Sequence, residues 1–223
     1  MSEAAPYWEP HWVSRTATVA LHVQNTGISR QMIIGDSNTE GFWWSSIGGG
    51  FVVNAGMGGA SIRTIADRAP YIANAARPRI THLMIGSANV KMGEESPEWE
   101  TMESDLNTIV DAFTAFPTKM IVWPVPPVAS EHAAVYPHSR RSAVNALLAA
   151  VASQRGVFWD WWWPNQITQG PHVSGVVTNN YAAPGAMAPD GLHFSGASQS
   201  SRYARLAAWK QTLAASPYNW PCP

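Results

Sequence analysis

Three residues whose side chains could act together as nucleophile, base and orienting acid lie far apart in the chain. Ser37 follows an apolar run in the stretch IIGDSNTEG, and Asp190 and His193 lie three residues apart in APDGLHFSG. A carboxylate so close to an imidazole can fix its tautomer and orientation, and the imidazole can then deprotonate a serine hydroxyl. These residue types predict nucleophilic catalysis, provided that the fold brings Ser37 to His193.

The chain between these stretches alternates between short apolar runs and longer helical patterns. The alternation predicts βαβ units, and therefore an α/β fold in which a five-stranded, mostly parallel sheet lies between two helical layers. Pro70 interrupts the first long helix, which predicts a kink or two short helices. The predicted strands are 32–34, 51–54, 81–85, 119–125 and 156–162, and the predicted helices are 62–76, 97–115, 138–154 and 196–214.

The residues that follow the predicted strands are the candidates for function, because ligands bind at the carboxyl ends of parallel strands. The glycines in NAGMGGAS (54–61) leave backbone N–H groups free to bind an oxyanion, as does a helix that begins at Ser37. Asn89 is a candidate side-chain donor. Ser37 is also compatible with a simple helix cap, and Asn89 with an ordinary turn residue. A dinucleotide-binding interpretation is disfavoured because Ser61 occupies the last glycine position of G-x-G-x-x-G.

The composition argues against several classes of protein. The 223 residues carry a net charge of −1, and the longest basic run is the pair Arg140–Arg141, so we expect no nucleic-acid partner. No apolar run approaches the length of a membrane span. The single cysteine, Cys222, and the absence of a zinc-like Cys/His pattern predict no metal site and no cofactor. Low charge and twelve tryptophans are compatible with self-association into a homo-oligomer.

The length predicts one domain over residues 1–223, with 1–30 as an N-terminal extension and 163–189 as an irregular loop near the site. The first ten residues lack the basic and apolar profile of a signal peptide. We therefore expect a cytoplasmic protein, or a secreted one whose leader is absent from this sequence.

The order of these stretches resembles the SGNH hydrolases, also called the GDSL-type esterase and lipase family. IIGDSNTEG resembles the family's nucleophile block, NAGMGGAS its glycine block, and DGLHFS the block that holds its acid and base. The resemblance implies a flavodoxin-like fold and a catalytic triad of Ser37, Asp190 and His193. It also implies an oxyanion hole formed by the N–H groups of Ser37 and Gly59.

One block departs from the family pattern. The family has Gly-x-Asn-Asp after its third strand, and the Asn side chain donates to the oxyanion. Here the residues are Gly86, Ser87, Ala88 and Asn89, so that Ala88 occupies the position of the donor. Either Asn89 replaces that donor through a shift of the loop, or the donor is missing.

The resemblance implies hydrolysis of carboxylic esters of small molecules through an acyl-enzyme. Short acyl chains are expected, because no long apolar lid is recognisable in the sequence. Three alternatives stay open: a carbohydrate O-acetyl esterase, an acyltransferase with the same triad, and a non-catalytic binding module on this scaffold. Asp36, Trp43 and Trp123 lie beside the predicted site and are candidate substrate contacts.

Overall fold

A six-stranded sheet forms the centre of the structure, which is a computed structural model. The strands are β1 (Gln31–Gly35), β2 (Ser46–Ile47), β3 (Gly50–Gly56), β4 (Ile80–Met84), β5 (Lys119–Trp123) and β6 (Phe158–Trp159). Their order across the sheet is β2-β3-β1-β4-β5-β6. The five neighbouring strands β3, β1, β4, β5 and β6 pair in parallel, whereas the short β2 is antiparallel to β3. The predicted five-stranded parallel sheet is therefore confirmed, and β2 is an addition that the sequence did not indicate.

The structure describes residues 9–26, 31–42, 46–47, 50–160, 167–169, 172–173, 176–177 and 180–214. Its helices are α1 (Glu9–Thr26), α2 (Ser37–Glu40), α3 (Ile62–Ala66), α4 (Ala69–Ala76), α5 (Ser87–Met92), α6 (Pro97–Thr114), α7 (His138–Gln154) and α8 (Gly196–Ala214), with a 3₁₀ turn at Ser130–His132. The predicted break near Pro70 is confirmed, because α3 ends and α4 begins just before this proline. None of the described helices is long and apolar enough to cross a membrane.

The two faces of the sheet carry different amounts of apolar cover. Met32 and Ile34 of β1 lie in the larger core, with side chains from α1, α3, α4, α5, α6 and α7. Ile33, between them, lies in a smaller core with Leu206 of α8. Because successive strand residues face opposite sides, this alternation buries both faces of β1 and completes the predicted three-layer sandwich.

Two segments at the edges of the domain contain elements that the sequence prediction did not specify. The N-terminal extension contains α1, whose Val19 and Val23 are buried in the larger core. The segment predicted to be irregular contains four short strands rich in β-branched residues, which favour extended backbone. These strands are β7 (Ile167–Gln169), β8 (His172–Val173), β9 (Val176–Val177) and β10 (Asn180–Ala182), and they pair as β7 with β10 and β8 with β9.

Candidate active site

Ser37 is the first residue of α2, and Asp36 alone separates it from the end of β1. Asp36 caps this helix, because its Oδ1 accepts a hydrogen bond from the backbone N of Asn38 at 3.1 Å. The interpretation of Ser37 as a cap is therefore wrong, and its hydroxyl is available for other contacts. Ser37 lies where the unpaired N–H groups of a helix start favour negative charge.

The structure brings Ser37, His193 and Asp190 together in a series of hydrogen bonds. His193 Nε2 lies 2.9 Å from Ser37 Oγ, and His193 Nδ1 lies 2.5 Å from Asp190 Oδ2. If Nδ1 carries the proton, Nε2 is left with a lone pair directed at the serine hydroxyl. The arrangement can therefore deprotonate Ser37 as its oxygen attacks an electrophile.

Asp190 is a carboxylate held in its charged form. Partial burial would raise the pKa of Asp190, but hydrogen bonds from the His193 side chain and from the backbone of His193 and Leu192 lower it to about 2. Both backbone N–H groups donate to Asp190 Oδ1 at 3.0 Å. The carboxylate thus stays ionised at neutral pH and can stabilise an imidazolium on His193.

Asn38 connects the helix that begins at Ser37 to the loop that carries His193. Its Oδ1 accepts from the backbone N of Phe194 at 3.1 Å, and its Nδ2 donates to the carbonyl of Leu192 at 3.4 Å. Asn38 is buried, and its two contacts lie on either side of His193. Sequence reasoning missed this residue because an asparagine after a candidate nucleophile has no distinctive spacing.

The glycine turn after β3 lies beside Ser37. Gly58 and Gly59 line the same cavity as Ser37, and Gly59 has a φ of +70°, which favours glycine. The turn is held from outside by α1, where Trp12 Nε1 donates to the carbonyl of Gly58 at 2.9 Å. Arg15 Nε donates to the carbonyl of Gly56 at 3.0 Å. The position of Gly59 is compatible with the predicted oxyanion donor.

Two glycines, at the ends of β1 and β3, permit the close approach of backbone from β4 and α2 at the site. Gly35 and Gly56 are register partners in the parallel pair. A Cβ on Gly35 would lie 1.7 Å from the carbonyl oxygen of Met84, and one on Gly56 would lie 2.1 Å from the backbone N of Glu40. Both distances are far below a contact distance, so backbone occupies the space that any other side chain would need.

Asn89 does not reach the cavity. Its side chain is buried, and its Oδ1 accepts from the backbone N of Ile62 at 3.0 Å, at the start of α3. The residues of the same block that do line the cavity are Ser87 and Val90. Because the Asn89 amide nitrogen is buried outside the cavity, the structure gives no support to Asn89 as an oxyanion donor.

Of the three candidate substrate contacts, Asp36 and Trp123 do not line the cavity. Asp36 is buried as a helix cap and does not line the cavity, and burial raises its pKa despite hydrogen bonds from Ser87 and Asn38. Trp123 is also wrong as a contact, because it is fully buried on the α8 face, where its Nε1 donates to His82 Nδ1 at 3.4 Å. Trp43 lies outside the described residues.

Arg202 of α8 is a second residue that sequence reasoning missed. It is fully buried, and its guanidinium donates to the carbonyl of Asn38 at 2.8 Å and to Thr39 Oγ1 at 3.3 Å. Burial lowers the pKa of Arg202 to about 10, although the charge of Asp36 opposes this shift. Arg202 therefore remains a cation at neutral pH and stabilises the carbonyl end of α2.

The cavity beside Ser37 is small and mostly apolar. Its volume is about 220 Å³, below the range of about 300–1,000 Å³ usual for sites that take drug-sized ligands. Tyr136 and Arg141 are polar members of its wall. Its apolar wall consists of Val90, Val125, Pro126, Val128 and Leu192. Among the residues that the structure describes, no cluster of three His, Cys, Asp or Glu side chains is suited to hold a metal ion.

A parallel sheet between helical layers, with serine, histidine and aspartate in series at its carboxyl edge, defines a hydrolase-type α/β/α protein. The chain matches the model of the GDSL-like lipase/acylhydrolase family over residues 33–200. The chain therefore belongs to this family, as the motif order predicted. Family membership supports ester hydrolysis as the general activity. A comparison with curated proteins finds no match.

Solved structures of similar fold agree with this assignment. A candidate acylhydrolase from Bacteroides fragilis superposes with a TM-score of 0.66 at 17% identity, over 85% of this chain and 94% of the other. A GDSL-like lipase from Bacteroides thetaiotaomicron superposes with a TM-score of 0.64 at 15% identity, over 91% of this chain and 97% of the other. A lipase/acylhydrolase from Enterococcus faecalis superposes with a TM-score of 0.60 at 15% identity, over 82% of this chain and 96% of the other. At these identities the likeness concerns the fold.

Proposed function

We propose that the protein hydrolyses carboxylic esters with short acyl groups, using Ser37 as nucleophile, His193 as general base and acid, and Asp190 as orienting carboxylate. The observation that carries the proposal is the series of hydrogen bonds from Asp190 through His193 to Ser37 Oγ. The small apolar cavity beside Ser37 supports the restriction to short acyl groups.

The reaction proceeds in two halves through an acyl-enzyme. Ser37 Oγ attacks the ester carbonyl carbon while His193 Nε2 accepts the hydroxyl proton, and the backbone N–H groups of Ser37 and Gly59 bind the oxyanion. The C–O bond to the alcohol then breaks, and His193 returns the proton to the leaving oxygen. Water repeats the sequence on the acyl-enzyme, which releases the carboxylic acid and restores Ser37.

The test combines covalent labelling with turnover. A fluorophosphonate probe should modify Ser37, identified by peptide mass spectrometry, and p-nitrophenyl acetate and butyrate should be hydrolysed faster than longer esters. Ser37→Ala should lose kcat by a factor on the order of 10⁶. The control is Ser104→Ala, at an exposed serine of α6. A Ser37→Ala protein as active as the wild type would refute the proposal.

A further inference from the structure

Arg141 is a buried cation in the wall of the cavity that contains Ser37. It belongs to α7, only 5% of its surface is exposed, and it lines the cavity together with Ser37 and His193. The mechanism proposed above makes no use of it. A guanidinium has five N–H donors, and one that lines a cavity can donate to a ligand of opposite charge.

Arg141 is positively charged at neutral pH despite its burial. Burial lowers the pKa of Arg141 to about 10, which still leaves it protonated at neutral pH. Its Nη2 lies 3.0 Å from His138 Nδ1, and burial together with the charge of Arg141 lowers the pKa of His138, so that this imidazole is a neutral acceptor. The contact with His138 helps to orient the guanidinium.

Tyr136 adds a neutral donor to the same wall. Burial, with the nearby charge of Asp36, raises the pKa of Tyr136, so its hydroxyl keeps its proton. Tyr136 and Arg141 both line the cavity, whereas Asp36 does not. The polar part of the wall near α7 thus presents a cation and a hydroxyl.

We infer that the preferred acyl group carries a carboxylate at its far end and that Arg141 binds it; this inference rests on the proposed ester hydrolysis at Ser37. A guanidinium matches a carboxylate in planar, bidentate geometry, and the apolar walls strengthen the pair by excluding water. Because Arg141 and Ser37 share a cavity of about 220 Å³, the two ends of the acyl group are separated by only a few carbons. The substrate class is therefore the half-esters of short dicarboxylic acids.

The first arm of the test compares hydrolysis of monoethyl succinate and monoethyl glutarate with that of ethyl butanoate and ethyl pentanoate, followed by ethanol release. The wild type should favour the half-esters in kcat/KM by about 10- to 100-fold, the usual value of a charge-assisted hydrogen bond. Arg141→Met should abolish this preference, and Arg141→Lys should retain part of it. Arg140→Met is the matched control, because Arg140 lies on the same helix but does not line the cavity.

The second arm measures binding without turnover. Ser37→Ala should bind monoethyl succinate about 10- to 100-fold more tightly than ethyl butanoate in calorimetry, and the double variant with Arg141→Met should not. An equal preference in wild type and Arg141→Met, or equal binding of both esters, overturns the inference. Failure of Ser37 to label, with half-ester binding intact, would refute the proposed hydrolysis and leave the role of Arg141 supported.

Discussion

The nucleophile turn (residues 35–40) and the histidine loop (residues 188–195) meet at the same site but are built in different ways. In the nucleophile turn, Asp36 is 2% exposed and Thr39 is fully buried. In the histidine loop, the side chains of Asp190 and His193 are about half exposed, at 48% and 46%. One half of the site is therefore part of the core, and the other half lies on the surface.

The bonds that hold the two regions differ in the same way. Asn54 of β3 donates to the carbonyls of Thr39 and Glu40 at 2.9 and 3.1 Å, and Arg202 binds the same turn from α8. The histidine loop is held mainly by exposed bonds, such as that between His132 Nε2 and the carbonyl of Asp190 at 2.7 Å. Buried contacts therefore position the nucleophile, whereas exposed hydrogen bonds hold the acid and the base, and substitutions should separate stability from activity.

The largest expected effect comes from the histidine loop. His193→Ala should lower kcat for p-nitrophenyl butyrate by a factor on the order of 10⁶, because Ser37 loses its base. The Tm should stay close to that of the wild type, since the side chain is half exposed. A combined loss of activity and several degrees of Tm would show that the loop contributes more to folding than its exposure indicates.

Asn38 belongs to the nucleophile turn but binds the histidine loop, so it tests the connection between the two. Asn38→Ala should lower kcat by about 100-fold, a larger effect than any change in KM from its place in the cavity wall, because a misplaced base raises the barrier of the chemical step. Asn38→Asp keeps the acceptor for Phe194 N and should retain more activity. A pure change in KM would contradict this role.

Asn89 is buried, like the residues of the nucleophile turn, and its substitution should affect stability more than activity. Asn89→Ala should lower the free energy of unfolding by about 1–3 kcal/mol, because the N–H of Ile62 loses its acceptor. Activity of the folded protein should fall less than tenfold. Asn89→Asp is the control, since it keeps an acceptor and restores the residue of the family pattern. A loss of 100-fold or more in kcat in both variants would restore Asn89 as an oxyanion donor.

The smallest effect concerns the pH dependence of the exposed carboxylate. The pKa of Asp190 is lowered to about 2 in the folded protein, against about 3.9 for an unfolded chain. Its contribution to stability is therefore complete above pH 4 and declines as the pH falls through 2. Asp190→Asn should lower Tm by about 1–4 °C at pH 7, because solvent screens the pair, and less at pH 2. A Tm difference that grows on acidification would contradict this sign.

The sequence predicted the sheet well because alternating apolar runs and helices leave few arrangements, and it indicated Ser37, Asp190 and His193 as a set. Trp123 was misplaced because only its position at a strand end was considered. Met120 and Val122 lie in the larger core, so Trp123, one residue further, faces the opposite side with Ile121. The burial of Asn38, Arg141 and Arg202 follows from packing between distant elements and leaves no local pattern in the sequence.

Gly35 and Gly56, which end the neighbouring strands β1 and β3 against backbone, limit how this site can change by mutation. Every single-nucleotide missense change in a glycine codon introduces a side chain, and neither position has room for even a methyl group. A library of random variants selected for activity should therefore retain glycine at both positions, while the exposed histidine loop accepts substitutions beside its reacting residues. New specificities would arise from the loop and the cavity wall, on a nucleophile turn that stays constant.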